Sequence, residues 1–308
     1  MSEAARAPAP FEARVVAGYG RHYLVEDGAV RLYEAQRRGK RGDVVIGDRV
    51  SCVHAGAAQA AIEAILPRRS LLLRADGARS KALAANVDRV VVVFAPRPVF
   101  NERFAWRALL AADAAGIVPL IVLNKTDLDT EGAGMQALGR LAKLGYATIA
   151  VSAKTAPQET RAALRAALGL ASNLVVGQSG MGKSTLINLL VPLANARTQE
   201  YSMRLNVGRQ TTTASRLFPL DGGGDIIDTP GFQAFGLAHL NLQQLAAAMP
   251  DFAPRLGRCR FSDCRHLNEP DCAIRAAIAG GEIDAARHAF YADLAGELGA
   301  LRDRGRAS

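Results

Sequence analysis

The chain has 308 residues, 49% of them apolar and 22% charged. That balance excludes a chain disordered over most of its length, and at roughly 100–200 residues per domain it makes room for two or three domains. Lys and Arg number 38 against 29 Asp and Glu, a net charge of +9 that suits a polyanionic partner. No apolar run approaches the roughly 18 residues of a membrane span, and the Ala/Pro-rich start carries Glu3 and no apolar stretch of a secretion signal. A cytoplasmic protein with no membrane partner is expected. Four cysteines, three of them between 259 and 272, point to a metal site in a reducing compartment rather than a disulfide framework.

From Phe11 to about Pro67 the apolar residues fall in short runs: Ala13–Val16, Tyr23–Val25, Val30–Tyr33, Val44–Ile46, Val50–Val53 and Ala60–Ile65. Glycines punctuate them, the pattern of a small β-barrel or sandwich. Arg37, Arg38, Lys40 and Arg41 form a dense positive loop, which reads either as a solvated hairpin tip or as a phosphate-contacting loop of an oligonucleotide-binding barrel. Cys52 lies in one of the strands and reads as core.

From about Ser70 to Ala238 the runs Val87–Phe94, Pro119–Leu123, Ala147–Val151, Asn173–Val176 and Asp225–Ile227 alternate with helical patterns at Glu102–Ala115, Met135–Leu144, Glu159–Leu168 and Lys183–Leu190. This spacing predicts an α/β layer with a mostly parallel sheet, whose ligand binds at the carboxyl ends of the strands. Beyond Asn241 the composition is helical, with a break at Gly280–Gly281, a loose end at Arg302–Ser308 and one Cys/His knot. The expected domains are 1–68, 69–240 and 241–308.

Gly177-Gln178-Ser179-Gly180-Met181-Gly182-Lys183-Ser184 fits G-x-x-x-x-G-K-[ST] between a strand and a helix. Its glycines let backbone N–H groups turn inward around phosphate oxygens, and the helix N-terminus adds its dipole. Lys183 is expected at the β- and γ-phosphates and Ser184 on Mg²⁺. Downstream, Asp228-Thr-Pro-Gly231 offers a carboxylate for the Mg²⁺ water and a Gly231 N–H for the γ-phosphate. Between them lies Arg209-Gln-Thr-Thr-Thr213. Spacing leaves Thr211, Thr212 and Thr213 open as the last magnesium ligand, and we take Thr212.

Asn124-Lys125-Thr126-Asp127 ends an apolar strand. The Asp127 carboxylate can accept from guanine N1–H and the 2-amino group, two donors adenine does not present together. The Lys125 stem can lie along the base, and Asn124 can tie this loop to the phosphate loop. Ser152-Ala153-Lys154 ends the next strand, where the Ala153 N–H can meet guanine O6. These strings resemble the translation-factor-like P-loop GTPases in rearranged order, because the guanine loops precede the phosphate loop. Since all share one sheet edge, the order amounts to a circular permutation. It also makes the Asp228–Gly231 loop lead directly into the C-terminal segment, which could receive the state of the γ-phosphate. After Gly231 stands Phe232, where many GTPases carry a water-orienting Gln; slow intrinsic hydrolysis is expected, with Gln210 and Gln233 as conceivable substitutes.

Cys259-x₄-Cys264-x-His266-x₅-Cys272 supplies three thiolates and an imidazole, the donors of a closed tetrahedral Zn²⁺ site. One structural zinc is expected, stapling a segment with too little core of its own. Arg255, Arg258, Arg260 and Arg265 crowd the knot, either as a solvated surface or facing phosphates. His22, His54, His239 and His288 carry no partner pattern.

With these pieces together the chain resembles the small-ribosomal-subunit biogenesis GTPase family (ribosome-small-subunit-dependent GTPase A) over nearly its whole length, lesser strings such as Ala85-Asn-Val-Asp88 included. The resemblance implies an N-terminal OB-fold barrel, a circularly permuted P-loop GTPase domain and a C-terminal helical zinc-binding domain that also contacts the ribosome. It implies GTP hydrolysis to GDP and phosphate with Mg²⁺, stimulated by the small (30S) subunit and its 16S rRNA, and release of assembly factors late in maturation. Phosphate binding is thereby carried over to Gly177–Thr185 and guanine recognition to Asn124–Asp127. A monomer is suggested. Gln210 stands where the family usually has His, which leaves the water-positioning group open. The competing expectation is a GTP-switched RNA-binding checkpoint module whose hydrolysis is incidental.

Overall fold

Five strands, β1 (Phe11–Tyr19), β2 (His22–Asp27), β3 (Leu32–Arg37), β4 (Arg49–Gly56) and β5 (Gln59–Ile65), run in the order β1-β2-β3-β5-β4. β4 returns to β1, pairing Cys52 with Phe11, so the sheet closes. In β3, buried Tyr33 and Ala35 alternate with exposed Glu34 and Gln36, the period of two that a half-buried strand requires. The barrel has its own core of Val15, Val25, Val50, Cys52 and Ile62, and burial, followed by the Glu63 charge, pushes the Cys52 thiol up to about 11. The cysteine expected in the core is there. The computed structural model describes residues 9–39, 43–76, 79–194, 199, 201 and 215–306. Lys40 and Arg41 of the basic loop lie outside the described residues.

Val44–Ile46, expected as a strand, is instead a buried clamp. The Val45 N–H donates to the Asp48 carboxylate at 2.8 Å, and Arg68 grips that carboxylate at 2.7 and 2.8 Å. A Cβ on Gly47 (φ +83°) would sit 2.1 Å from the Ala85 carbonyl oxygen, so only glycine permits the approach. The clamp holds a hairpin that the sequence does not announce, β6 (Leu71–Asp76) with β7 (Arg79–Ala85). Its second strand is Ala-rich and lacks β-branched residues, which hides it from propensity.

The large sheet contains β8 (Arg89–Phe94), β9 (Val118–Leu123), β10 (Ala147–Ala150), β11 (Ser172–Val176), β12 (Ser215–Pro219) and β13 (Asp225–Asp228). The order is β10-β9-β8-β11-β13-β12, parallel except for β12. Four helices follow the parallel strands: α1 (Glu102–Ala114), α2 (Ala133–Lys143), α3 (Pro157–Leu168) and α4 (Lys183–Leu190). β8 and β11 are buried almost throughout, as strands covered on both faces must be. β12, unforeseen, pairs antiparallel with β1, so barrel and parallel layer form one continuous sheet. Arg14 reinforces the seam, donating to Asp225 at 2.5 Å and to the Ser172 hydroxyl at 2.9 Å.

The C-terminal segment holds α5 (Leu242–Ala247), α6 (Ala273–Ala279) and α7 (Ala285–Arg306). α5 starts with a capping box in which Asn241 and Gln244 satisfy each other's backbone N–H groups. Gly280 and Gly281 end α6 as expected, but α7 continues as helix to Arg306, past the point where a loose end was expected. Phe290 meets Trp106 of α1 with ring centroids 5.5 Å apart, and Arg287 lies over the same indole while pairing with buried Asp251 at 2.9 Å. Among the described residues no helix is long and apolar enough to cross a membrane.

Candidate nucleotide site and cysteine–histidine cluster

The carboxyl ends of β8, β9, β10, β11 and β13 lie side by side. Phe94 pairs with Leu123, Leu123 with Ala150, Val176 with Val92, and Val175 with Asp228. Asn124–Asp127 follows β9, Ser152–Lys154 follows β10, Gly177–Ser184 follows β11 and Asp228–Gly231 begins at the end of β13. The phosphate loop runs from β11 into α4, which is seated by Leu186, Ile187 and Leu190. Lys183 Nζ donates to the carbonyls of Gly177 and Gln178 at 2.7 and 3.0 Å. Burial lowers the Lys183 pKa against the pull of Asp228; burial raises that of Asp228 against Lys183 and Arg216. Two opposite charges thus share a desolvated corner, where a phosphate and a divalent cation would find their counter-charges. Ser184 and Thr185 are exposed at the start of α4, as are Ser179 and Gly180 at the loop's crest, while Met181 is buried. Gln178 accepts from the Asn101 N–H at 3.0 Å.

Asn124 is 1% exposed and works as a buckle between loops. Its Nδ2 donates to the Met181 carbonyl at 3.1 Å, and its Oδ1 accepts from the Ala153 N–H at 3.2 Å. The Ala153 N–H anticipated for guanine O6 is therefore engaged by Asn124. A Cβ on Gly182 (φ +91°) would come within 2.3 Å of Asn124 Nδ2, so this glycine makes the buckle possible. Lys125 adopts left-handed backbone (φ 59°) and its Nζ reaches across to the carbonyls of Gly180 at 2.6 Å and Arg97 at 3.2 Å. The Thr126 N–H bonds the Val151 carbonyl at 3.2 Å. Asp127 is exposed, and its Oδ1 accepts from the Ser152 hydroxyl at 2.5 Å; that hydroxyl in turn accepts from Thr155 Oγ1 at 2.6 Å. The Thr155 relay was not foreseen, and a single threonine after Ser152-Ala-Lys154 carries no motif signal. Lys154 is exposed.

Gly231 is exposed with φ 72°. Phe232 turns into an aromatic cluster, 4.6 Å from Phe235 and 6.3 Å from Phe104 of α1. Phe235 then bridges to Arg74 of β6, and its carbonyl accepts from Arg107 Nε at 2.8 Å. Arg107 also pairs with Glu297 of α7 at 2.9 Å. Thr212, with Thr211, Thr213, Arg209 and Gln210, lies outside the described residues.

The donor atoms of Cys259, Cys264, His266 and Cys272 all lie within 4.8 Å of one another. Cys259 Sγ is 3.9 Å from Cys272 Sγ and 3.5 Å from His266 Nδ1, and Cys272 Sγ is 3.6 Å from that nitrogen. The edges of a tetrahedron with Zn–S of about 2.3 Å and Zn–N of about 2.0 Å have nearly these lengths, so the four residues could hold a zinc ion. Burial keeps His266 below the usual imidazole range, in the neutral form that ligates. Burial, with the neighbouring thiols, pushes Cys264 up to about 12; a bound dication reverses that penalty.

Supports around the cluster escaped the sequence pattern. The Ala273 N–H approaches Cys259 Sγ at 3.4 Å, and Tyr291 donates to the Arg265 carbonyl at 2.8 Å. His288, given no role above, donates Nε2–H to the His266 carbonyl at 2.7 Å. Glu269 accepts from the N–H groups of Arg265, Leu267 and Asn268; against burial, which would raise it, its own backbone N–H together with these three holds its carboxyl at about 2. Arg255 pairs with Glu282, Arg260 with Asp271 and Arg265 with Glu269, whereas Arg258 is exposed.

A phosphate loop, guanine loops placed before it in the chain and an Asp-x-x-Gly at the neighbouring strand end define a circularly permuted P-loop GTPase. Residues 65–238 match the family model described as RsgA GTPase. The small ribosomal subunit biogenesis GTPase RsgA of Paraburkholderia xenovorans (strain LB400) is 50% identical over 305 residues, covering 96% of each chain. That of Burkholderia pseudomallei (strain 668) is 48% identical over 299 residues, 96% of this chain and 94% of its own. The crystal structure of YjeQ from Thermotoga maritima superposes with a TM-score of 0.71 at 26% identity, covering 94% of this chain and 99% of its own. That of YloQ, a circularly permuted GTPase, does so at 0.68 and 24% identity, covering 98% and 99%, and shares the fold. The chain belongs to the RsgA GTPase family.

Proposed function

We propose that the protein hydrolyses GTP on the small ribosomal subunit during its biogenesis, in the cytoplasm. The observation that carries this reading is the buckle of Asn124, which binds the guanine loop, the Ser152–Lys154 loop and the phosphate loop into one receptor. Family membership supplies the GTPase activity and the ribosomal partner. We assign the base to Asn124, Lys125, Thr126 and Asp127 with Ser152, Ala153 and Lys154, and the phosphates to Gly177–Thr185. Ser184, Asp228 and one threonine of the 211–213 run, Thr212 by our choice, would hold Mg²⁺ and its water. When bound, Mg²⁺ neutralises charge on the β- and γ-phosphate oxygens. Lys183 leaves the loop carbonyls for those oxygens, and the Gly231 N–H donates to the γ-phosphate.

Phe232, held by Phe104 and Phe235, offers no group to orient water. Slow hydrolysis by the free protein follows, with stimulation from the subunit. The same observation keeps a checkpoint reading alive, in which GTP sets conformation and turnover is incidental. Functional units at 1–68, 69–240 and 241–308 assign RNA binding to the barrel, chemistry to the permuted core and a zinc-stapled contact to the C-terminal helices. We extend the reading to a monomer that meets 16S rRNA and helps assembly factors leave. The Arg107 bridge between the Phe235 carbonyl and Glu297 supports transmission of γ-phosphate state to α7; a cross-link joining these segments that leaves nucleotide-dependent subunit binding unchanged would refute that transmission.

Steady-state GTP hydrolysis with and without purified small subunits, against Lys183→Ala, tests the main reading. Strong stimulation that the substitution abolishes is expected. Intact GTP binding with no stimulation would favour the checkpoint reading.

A further inference from the structure

Beside the cysteine–histidine cluster lies an open groove of about 630 Å³ between α5 and the 256–266 loop. Leu242, Ala246 and Leu256 form an apolar wall, with the Asn241 and Gln243 amides at the same wall. The groove is lined across from them by Phe261, which is 41% exposed and is the one aromatic among the exposed large apolar side chains of the described residues. Core packing does not account for a phenylalanine left open on a loop of two metal-ligand cysteines. The Arg260 guanidinium lies 5.4 Å from its ring centroid, which fixes one face of the ring and leaves the other for a second planar group.

We propose that this groove receives a single unstacked RNA base on the Phe261 ring, with Arg258 and Arg265 meeting the adjoining phosphates. The inference rests on the reading that the partner is the small subunit's RNA. Unpaired bases are held by this combination: an aromatic or guanidinium plane for the base face and amides for its polar edge. Charge favours nucleic acid over an apolar protein segment. Among the described residues Arg258 makes no side-chain hydrogen bond or ion pair, the Arg260 and Arg265 side chains are each 66% exposed, and Asp263 is the one carboxylate in the lining.

The test uses the zinc-loaded full chain, titrated with purified small subunits and separately with a short single-stranded RNA of mixed sequence. Phe261→Ala is expected to weaken both about tenfold, with zinc content and subunit-free GTP hydrolysis unchanged. Phe261→Trp restores binding; Phe261→Leu, apolar but without a π face, does not. Arg258→Gln lowers the slope of log affinity against log salt by about one, whereas Phe261→Ala leaves that slope intact. Wild-type affinity in Phe261→Ala overturns the proposal, and rescue by leucine overturns it in favour of an apolar protein segment. If the wild type ignores small subunits, the parent reading fails by itself, and the RNA titration alone then decides for or against the base receptor.

Discussion

The phosphate loop and the Cys259–Cys272 loop solve one problem, holding an irregular backbone, by opposite means. The first hangs between a buried strand and a helix anchored by Leu186, Ile187 and Leu190, and its own residues bond one another through Asn124 and Lys183. Its shape is paid for by the core beneath it. The second spans residues with little regular structure, and what gathers it is three sulfurs, one imidazole and the Glu269 carboxylate. A site built on core should outlast loss of its ligand, whereas a site built on donor atoms should not.

The largest expected effect tests that contrast directly. Chelation, or Cys264→Ala, removes an ion that in isolated zinc modules is worth roughly 10–16 kcal/mol. The 256–272 loop should lose amide protection from hydrogen exchange while GTP affinity stays within about threefold; equal loss at both sites would erase the distinction. Next, Lys183→Ala should slow subunit-stimulated hydrolysis by about 10²–10³-fold. Its thermal unfolding should shift by less than the equivalent of about 1 kcal/mol, the range expected where no core packing is lost; a larger destabilisation would mean that the lysine holds the loop's shape. Asp127→Asn should weaken GTP by about 10²-fold, since guanine donors would face an amide and Ser152 would lose its charged acceptor; unchanged selectivity over ATP would remove Asp127 from base recognition.

A smaller effect is expected from Phe232→Ala, about 1–2 kcal/mol of stability because the ring is only partly buried, with hydrolysis by the free protein little altered. Faster hydrolysis would show that the phenyl ring obstructs water. Smallest is an acid dependence set by Glu269. Its folded pKa of about 2 lies below the ordinary 4.5, so its stabilisation is full above about pH 4.5 and is lost as pH falls toward 2. Glu269→Gln should flatten that part of the stability–pH curve; an unaltered curve would mean that the backbone bonds contribute nothing to the folded loop.

What the sequence made legible follows the same division. Gly177–Ser184 and Asn124–Asp127 are readable because local backbone conformation and spacing encode them, and the four metal donors are readable because their types are rare and crowded. The Val44–Ile46 clamp misled, since it forms no strand of its own: Val44 is buried in the barrel core, while Ile46 packs in the larger core and bridges Ala84 of β7. Arg107 and His288 were invisible because each acts on a residue distant in the chain, whereas Thr155 and Glu269 act within four residues but sit in no pattern of their own. The Ala153 N–H was placed at the right loop, but its bond to Asn124 depends on a side-chain rotamer that spacing does not specify.

The seam between β1 and β12 carries a temporal consequence. Arg14 and Asp225, which ion-pair across it, are 211 residues apart in the chain. A ribosome making this protein releases β1 long before β12 exists, and domains fold in the order they emerge. The barrel can meanwhile close on itself through β4, leaving the Ala17–Gly18 end of β1 paired only with β2 and open on its other edge until β12 arrives. That late pairing covers a sheet edge which would otherwise invite another chain, and the other end of the sheet is kept to the four residues of β10. The pairing that joins the barrel to the parallel layer thus waits for most of the chain to be made, and it covers an edge of β1 that would otherwise stay open.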